Sequence, residues 1–157
     1  MKTLLGVLGL ILFLAPAALA ENQHPYSGMV TVETAKPFKK FVKAVRPAIK
    51  KNKFNIVGVA CANCAAKSLG QTIPGNRVFF FFAPRFAVRM LEASTAAGIE
   101  APIRIYVTEN EDGTARVTYR LPSHVFGAYD VEALRVMGME LDRSVTAIIS
   151  DAIIGTD

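Results

Sequence analysis

Tryptophan is absent from this chain, and cysteine and histidine occur twice each. Two cysteines exclude a disulfide-rich scaffold. His24 falls in the N-terminal leader, so only His124, beside Ser123, is left for acid–base work, and no third member of a triad can be identified. A glycine-rich phosphate loop is missing. So is any binding motif for nucleic acid, which is not an expected partner. Acidic residues are missing from Lys36 to Leu91, a stretch that holds twelve Lys or Arg. Glu92 to Asp157 reverses the balance, with eleven acidic and five basic residues. The simplest account is that the two halves pack together and partly neutralise each other. The sharper one is a basic face for anionic lipid, polymer or an acidic partner.

Beyond the N-terminus no apolar run is long enough to cross a bilayer. At the N-terminus, Lys2 is followed by the apolar Leu4 to Leu14, then Pro16, then Ala18-Leu19-Ala20. That is the order of a cleavable signal peptide, expected over 1–20. No cysteine stands at the cleavage point, so a lipid anchor is not expected. The mature protein is then periplasmic or secreted and not transmembrane after cleavage. Residues 21–27 read as a flexible leader and 28–157 as a single domain, long enough for a core without disulfide staples.

Met29 to Thr34 has the partial alternation of a first strand. Phe38, Phe41, Val42, Val45 and Ile49 line one face of a helix that opens at Pro37, while Lys39, Lys40, Lys43, Arg46, Lys50 and Lys51 take its other faces. Pro47 removes one donor and is expected to bend or tighten that helix. Phe54 to Ala60 is a second strand, Cys61 to Gly70 a short helix ended by Gly70, and Ile73-Pro74-Gly75-Asn76 a turn. Val78 to Phe82 is a third strand. Its four phenylalanines predict either burial on both faces, or one buried face and a second that meets a partner.

Pro84 to Gly98 reads as a helix. Ile103, Ile105 and Val107 alternate with Arg104, Tyr106 and Thr108 in a fourth strand. Asn110-Glu111-Asp112-Gly113 is a hairpin loop with Gly113 at a positive φ, and Ala115, Val117 and Tyr119 form the inward side of a fifth strand. A short helix near His124 to Tyr129 follows. A last helix carries Leu134, Met137, Leu141, Val145, Ile148 and Ile149 in one stripe, with Asp130 as its cap and Gly138 as a point where it divides. Glu109, Glu111 and Asp112 cluster at the hairpin tip, normally a solvated turn, since calcium would want more oxygen ligands at fixed spacing.

The order predicts an α+β domain: one mostly antiparallel sheet with helices packed on one face. Four segments carry a resemblance to the family known as domain of unknown function 302. They are Phe82-Ala83-Pro84, Ala101-Pro102, Glu111-Asp112-Gly113 and the run from Tyr119 to Pro122. In order and spacing they follow the family from about Met29 to Ala152. Phe82-Ala83 departs from the family's usual Phe-Gly-Asn-Pro turn, and Ala101 stands where leucine is usual. The resemblance implies a β-α-β4-α, TATA-binding-protein-like core, often dimeric, and implies no activity.

Cys61 and Cys64 follow a strand and open a helix. At i and i+3 they lie on one side, near free backbone N–H groups that favour thiolate. A plain disulfide, thiol redox chemistry and soft-metal binding (Cu or Zn) are open readings. The disulfide would close a very short loop and stabilise little. The spacing matches thioredoxin-like proteins, but the element order around it does not. Residues 58–66 are similar to the metal loop of heavy-metal-associated domains, with Val59 where that loop usually carries Met. Covalent haem is excluded because Ala65, not histidine, follows Cys64. Met29, Met90, Met137 and Met139 are available as extra soft ligands, although at helical spacing core packing is the ordinary role.

The expectation is an exported non-enzymatic binding or interaction module, without a cofactor, for an unknown protein or small ligand. Its expected contact surfaces are the basic helix face (Lys39, Lys43, Arg46, Lys50) and the Phe-rich strand, with homodimer formation as one use of them. The alternative is a thiol-based protein that binds Cu or Zn, or exchanges electrons, through Cys61 and Cys64.

Overall fold

The computed structural model describes residue 22 and residues 25–155. The expected signal peptide and Glu21, Gln23 and His24 of the expected leader lie outside the described residues. The elements run β1 (Met29–Pro37), α1 (Phe38–Lys51), β2 (Asn55–Ala60), α2 (Ala62–Ser68), β3 (Asn76–Phe82), α3 (Pro84–Ala93), a 3-10 turn (Thr95–Glu100), β4 (Ile103–Glu109), β5 (Thr114–Arg120), α4 (Pro122–Gly127) and α5 (Glu132–Ile154). The strands form one antiparallel sheet in the order β1-β5-β4-β3-β2. This is the α+β architecture read from the sequence.

Period-two alternation decides which face is buried. Phe79, Phe81, Ile105, Val107, Ala115 and Val117 are fully buried, and Tyr119 nearly so. They pack with Phe41, Val45 and Ile49 of α1 and Leu134, Met137, Leu141, Val145 and Ile148 of α5 in a single core. The run of phenylalanines therefore splits: Phe79 and Phe81 enter the core, and Phe80 and Phe82 are half-buried on the opposite face. Among the described residues Thr34 is the buried polar side chain, and its hydroxyl donates to the Ala115 carbonyl at 2.7 Å. That bond meets the requirement that buried polar groups be paired.

The charge asymmetry is partly resolved by packing. Lys51 of α1 meets Asp151 of α5 at 2.6 Å, and Arg89 of α3 meets Glu140 of α5 at 2.7 Å. Lys36 donates to the Ala152 carbonyl at 3.1 Å and to that of Gly155, satisfying acceptors at the open end of α5.

Three local expectations are corrected. Pro84 to Gly98 is not one helix: Ser94 is extended (φ −163°, ψ 119°) and separates α3 from the 3-10 turn. Gly138 does not divide the last helix, which is continuous over Glu132–Ile154. Asp130 is not its cap: Asp130 has φ 52°, and Val131 holds the N-cap position with no side-chain bond. Pro47 sits inside an unbroken α1. Gly113 has the predicted positive φ, 80°, and the Ala101–Pro102 peptide is cis.

Candidate functional site

Helices α1, α3 and α5 contribute their buried residues to the core on one side of the sheet. Across the other face the register aligns Ala60, Val78, Tyr106, Thr118 and Thr31 in one row over all five strands. Phe80 pairs with Arg104 in an adjacent row, and Met29 with Arg120 at the β1–β5 edge. Tyr106 stands at the centre, 43% exposed. Arg104 and Arg120 are exposed, while Val78, Phe80 and Met29 are half-buried. A sheet with one face against helices normally turns small polar residues to water on the other. Here the solvent face keeps an aromatic and apolar centre.

Tyr106 divides that face into two hollows. One, of about 340 Å³, is lined by Met29, Val78, Arg104, Tyr106, Arg120 and Val125, among others. Neither arginine has a carboxylate partner among the described residues; the Arg120 guanidinium lies over the Tyr26 ring, 4.8 Å from its centroid. Glu100 also borders this hollow, but its Oε1 accepts from the Tyr129 hydroxyl at 2.9 Å, which holds that phenol above its usual range. The second, wider hollow, of about 770 Å³, runs between the Ile73–Asn76 turn and the Glu109–Asp112 loop. Two of its carboxylates, Glu109 and Asp112, are committed locally. Glu109 Oε2 accepts from Gly75 N at 2.8 Å, and Asp112 Oδ1 accepts from the Thr114 hydroxyl at 2.6 Å and its amide at 2.9 Å. The Thr114 bonds keep Asp112 below its ordinary pKa. The hairpin tip is thus an exposed turn in which Asp112 is tied to Thr114.

The cysteines lie at the end of β2. Cys61 and Cys64 form a disulfide, with Cα atoms 5.2 Å apart. Cys61 is the N-cap of α2, and its Sγ accepts from Cys64 N at 3.1 Å. Two asparagines fasten this turn to β3: Asn76 Oδ1 accepts from Ala62 N at 3.0 Å, and Asn63 Oδ1 accepts from the Arg77 guanidinium. Asn76 also borders the wider hollow. While joined, the sulfurs offer no thiolate to Cu or Zn. Among the described residues no group of three or more His, Cys, Asp and Glu is placed to hold a metal ion. Met90 and Met137 are buried in the core and Met139 is exposed.

The remaining candidates separate in space. Lys39, Lys43, Arg46 and Lys50 are all exposed on α1, at spacings that put them on one stripe. Arg46 covers the Phe79 ring at 6.0 Å. This stripe belongs to the helix layer, whereas Arg104, Tyr106 and Arg120 lie on the opposite side of the sheet. His124 Nε2 is 3.0 Å from the Ser27 hydroxyl, and among the described residues no carboxylate pairs with it. The sequence reading missed Arg104, Tyr106 and Arg120 as a group. The signal was present in β4, where a tyrosine stands between Arg104 and Thr108 on the polar side of the alternation.

The family described as domain of unknown function DUF302 matches residues 30–152. The chain belongs to the DUF302 family. A crystal structure of an uncharacterised conserved DUF302 protein from Bacillus stearothermophilus superposes with a TM-score of 0.72 at 15% identity, covering 81% of this chain and 99% of that one. At that identity the likeness concerns the DUF302 fold. No curated protein matches this chain. Among the described residues no helix is long and apolar enough to cross a membrane.

Proposed function

We propose that this DUF302 protein is an exported, non-enzymatic binding module whose ligand surface is the helix-free face of the sheet. The observation that carries the reading is Tyr106, exposed at the centre of that face, with Arg104 and Arg120 in the neighbouring row and without carboxylate partners among the described residues. An aromatic side chain beside two guanidinium groups that border one hollow suits an anionic ligand with an apolar or aromatic part. The arginines supply charge-assisted hydrogen bonds, and Tyr106, Val78 and Phe80 supply apolar contact. Export rests on the Lys2, Leu4–Leu14, Ala18-Leu19-Ala20 pattern.

The test uses the anionic aromatic dye 8-anilinonaphthalene-1-sulfonate and the folded mature protein. Saturable binding that weakens about ten-fold or more in Arg104→Glu/Arg120→Glu supports the reading; each lost charge-assisted bond is worth roughly 1.5–3 kcal/mol. Equal binding by wild type and variant overturns it. Sedimentation of the dye-free protein decides whether a second copy already occupies the face. In that case a stable dimer dissociates on Tyr106→Glu and the anionic-ligand reading fails.

A further inference from the structure

The disulfide lies at the end of β2, where it is poorly placed to staple the fold. Only Ala62 and Asn63 separate the two cysteines, so the bond closes a minimal loop and removes little entropy from the unfolded chain. The segment is held by other contacts. Ala62 N is bound by Asn76, Asn63 by Arg77, and Ala65 N donates to the Cys61 carbonyl at 3.2 Å. The buried Ala66 anchors the turn, and its carbonyl accepts from Gln71 N at 2.9 Å.

The two sulfurs are also unequal. Cys64 is exposed and Cys61 half-buried. Cys61 Sγ accepts the Cys64 N–H, and Arg77 brings its positive charge to the same turn through Asn63. Both features favour negative charge on Cys61 over Cys64. In thiol–disulfide exchange the accessible sulfur is attacked and the sulfur of lower pKa leaves faster.

We propose that Cys61–Cys64 is an exchangeable disulfide that reacts with an external dithiol, with Cys64 as the sulfur attacked and Cys61 as the leaving thiolate. A thiolate of the dithiol bonds to Cys64 Sγ as the Cys61–Cys64 bond breaks, and the electron pair goes to Cys61. The second thiolate of the dithiol then attacks its own sulfur in the mixed disulfide and releases Cys64. Two electrons pass to the protein: the external dithiol becomes a disulfide and Cys61 and Cys64 become thiols. The two protons that the dithiol gives up balance those taken by the cysteines.

The test begins with the wild-type mature protein, equilibrated in graded glutathione and dithiothreitol buffers, trapped with iodoacetamide and weighed intact. The expected result is reversible reduction within the glutathione range, with circular dichroism retained and the melting temperature lowered by only a few degrees. A disulfide that resists reduced glutathione, or a fold that collapses on reduction, overturns the proposal and makes the bond a staple. The direction of attack is read separately. At pH 7, Cys61 in Cys64→Ser should be alkylated roughly three- to ten-fold faster than Cys64 in Cys61→Ser. Arg77→Met should slow Cys61 several-fold with the dichroism spectrum unchanged. Equal rates, or a faster Cys64, contradict the assigned leaving group.

Discussion

Gly138 lies against Ser123 so closely that a Cβ at position 138 would stand 2.7 Å from the Ser123 Cα. The missing side chain lets α4 rest directly on α5, where Asp142 Oδ1 accepts from Ser123 N at 2.9 Å. The obstruction is backbone, which cannot swing aside. Gly138→Ala should therefore destabilise the domain by about 1–3 kcal/mol through overpacking, although alanine is the better helix former. Urea unfolding checks this, and an unchanged or higher midpoint would contradict the contact.

The two sides of β3 should respond differently to the same truncation. Phe81→Ala opens a cavity in the core and should cost about 3–5 kcal/mol. Phe80→Ala removes a half-buried ring from the helix-free face and should cost clearly less while weakening dye binding. Thermal unfolding and dye titration of the two variants, measured together, separate core from surface. Similar losses of stability would mean that the second face is covered.

The Asp151 cluster makes stability depend on pH. Hydrogen bonds from Lys51 and then Asn52 hold the Asp151 carboxylate below its ordinary pKa. A pKa lower in the folded than in the unfolded state adds stability above the unfolded value, about 4. That stability is lost as pH falls through the folded value. Asp151→Asn should therefore show a smaller drop in urea midpoint between pH 6 and pH 3 than wild type. Equal drops would show that the cluster contributes nothing.

Asn76 is expected to act on the cysteine turn from the neighbouring strand. Asn76→Ala frees Ala62 N and should cost about 1 kcal/mol, felt mainly in α2. Faster hydrogen exchange at Ala62 and Asn63, with β4 unchanged, is the expected pattern. Unchanged exchange there would remove Asn76 from the account.

The elements that could be read from the sequence are those whose periodicity is enforced by burial. Ile103, Ile105 and Val107 alternate because β4 is covered on one side only, and the stripe from Leu134 to Ile149 repeats because α5 crosses a core. The features that were misread depend on contacts between distant segments. Gly138 resembles a helix break until Ser123 is seen against it, and Ser94 carries no breaker signature although it ends α3. Asp130 has the right chemistry for a cap but lies one position early, in a left-handed turn.

The site was legible in pieces. The cysteine spacing placed both sulfurs together, and the phenylalanine run marked a strand with a second face. The grouping of Arg104, Tyr106 and Arg120 was not legible, because it depends on the β4–β5 register and on which face the helices leave free. The basic stripe of Lys39, Lys43, Arg46 and Lys50 was more conspicuous in sequence, yet it lies on the other layer.

The most direct test of the ligand face is an amide chemical-shift titration of the folded protein with 8-anilinonaphthalene-1-sulfonate. The account predicts saturable shifts concentrated at Val78, Arg104, Tyr106, Thr118 and Arg120. Shifts confined to the α1 residues Lys39, Lys43, Arg46 and Lys50, or no saturable shifts, would contradict it.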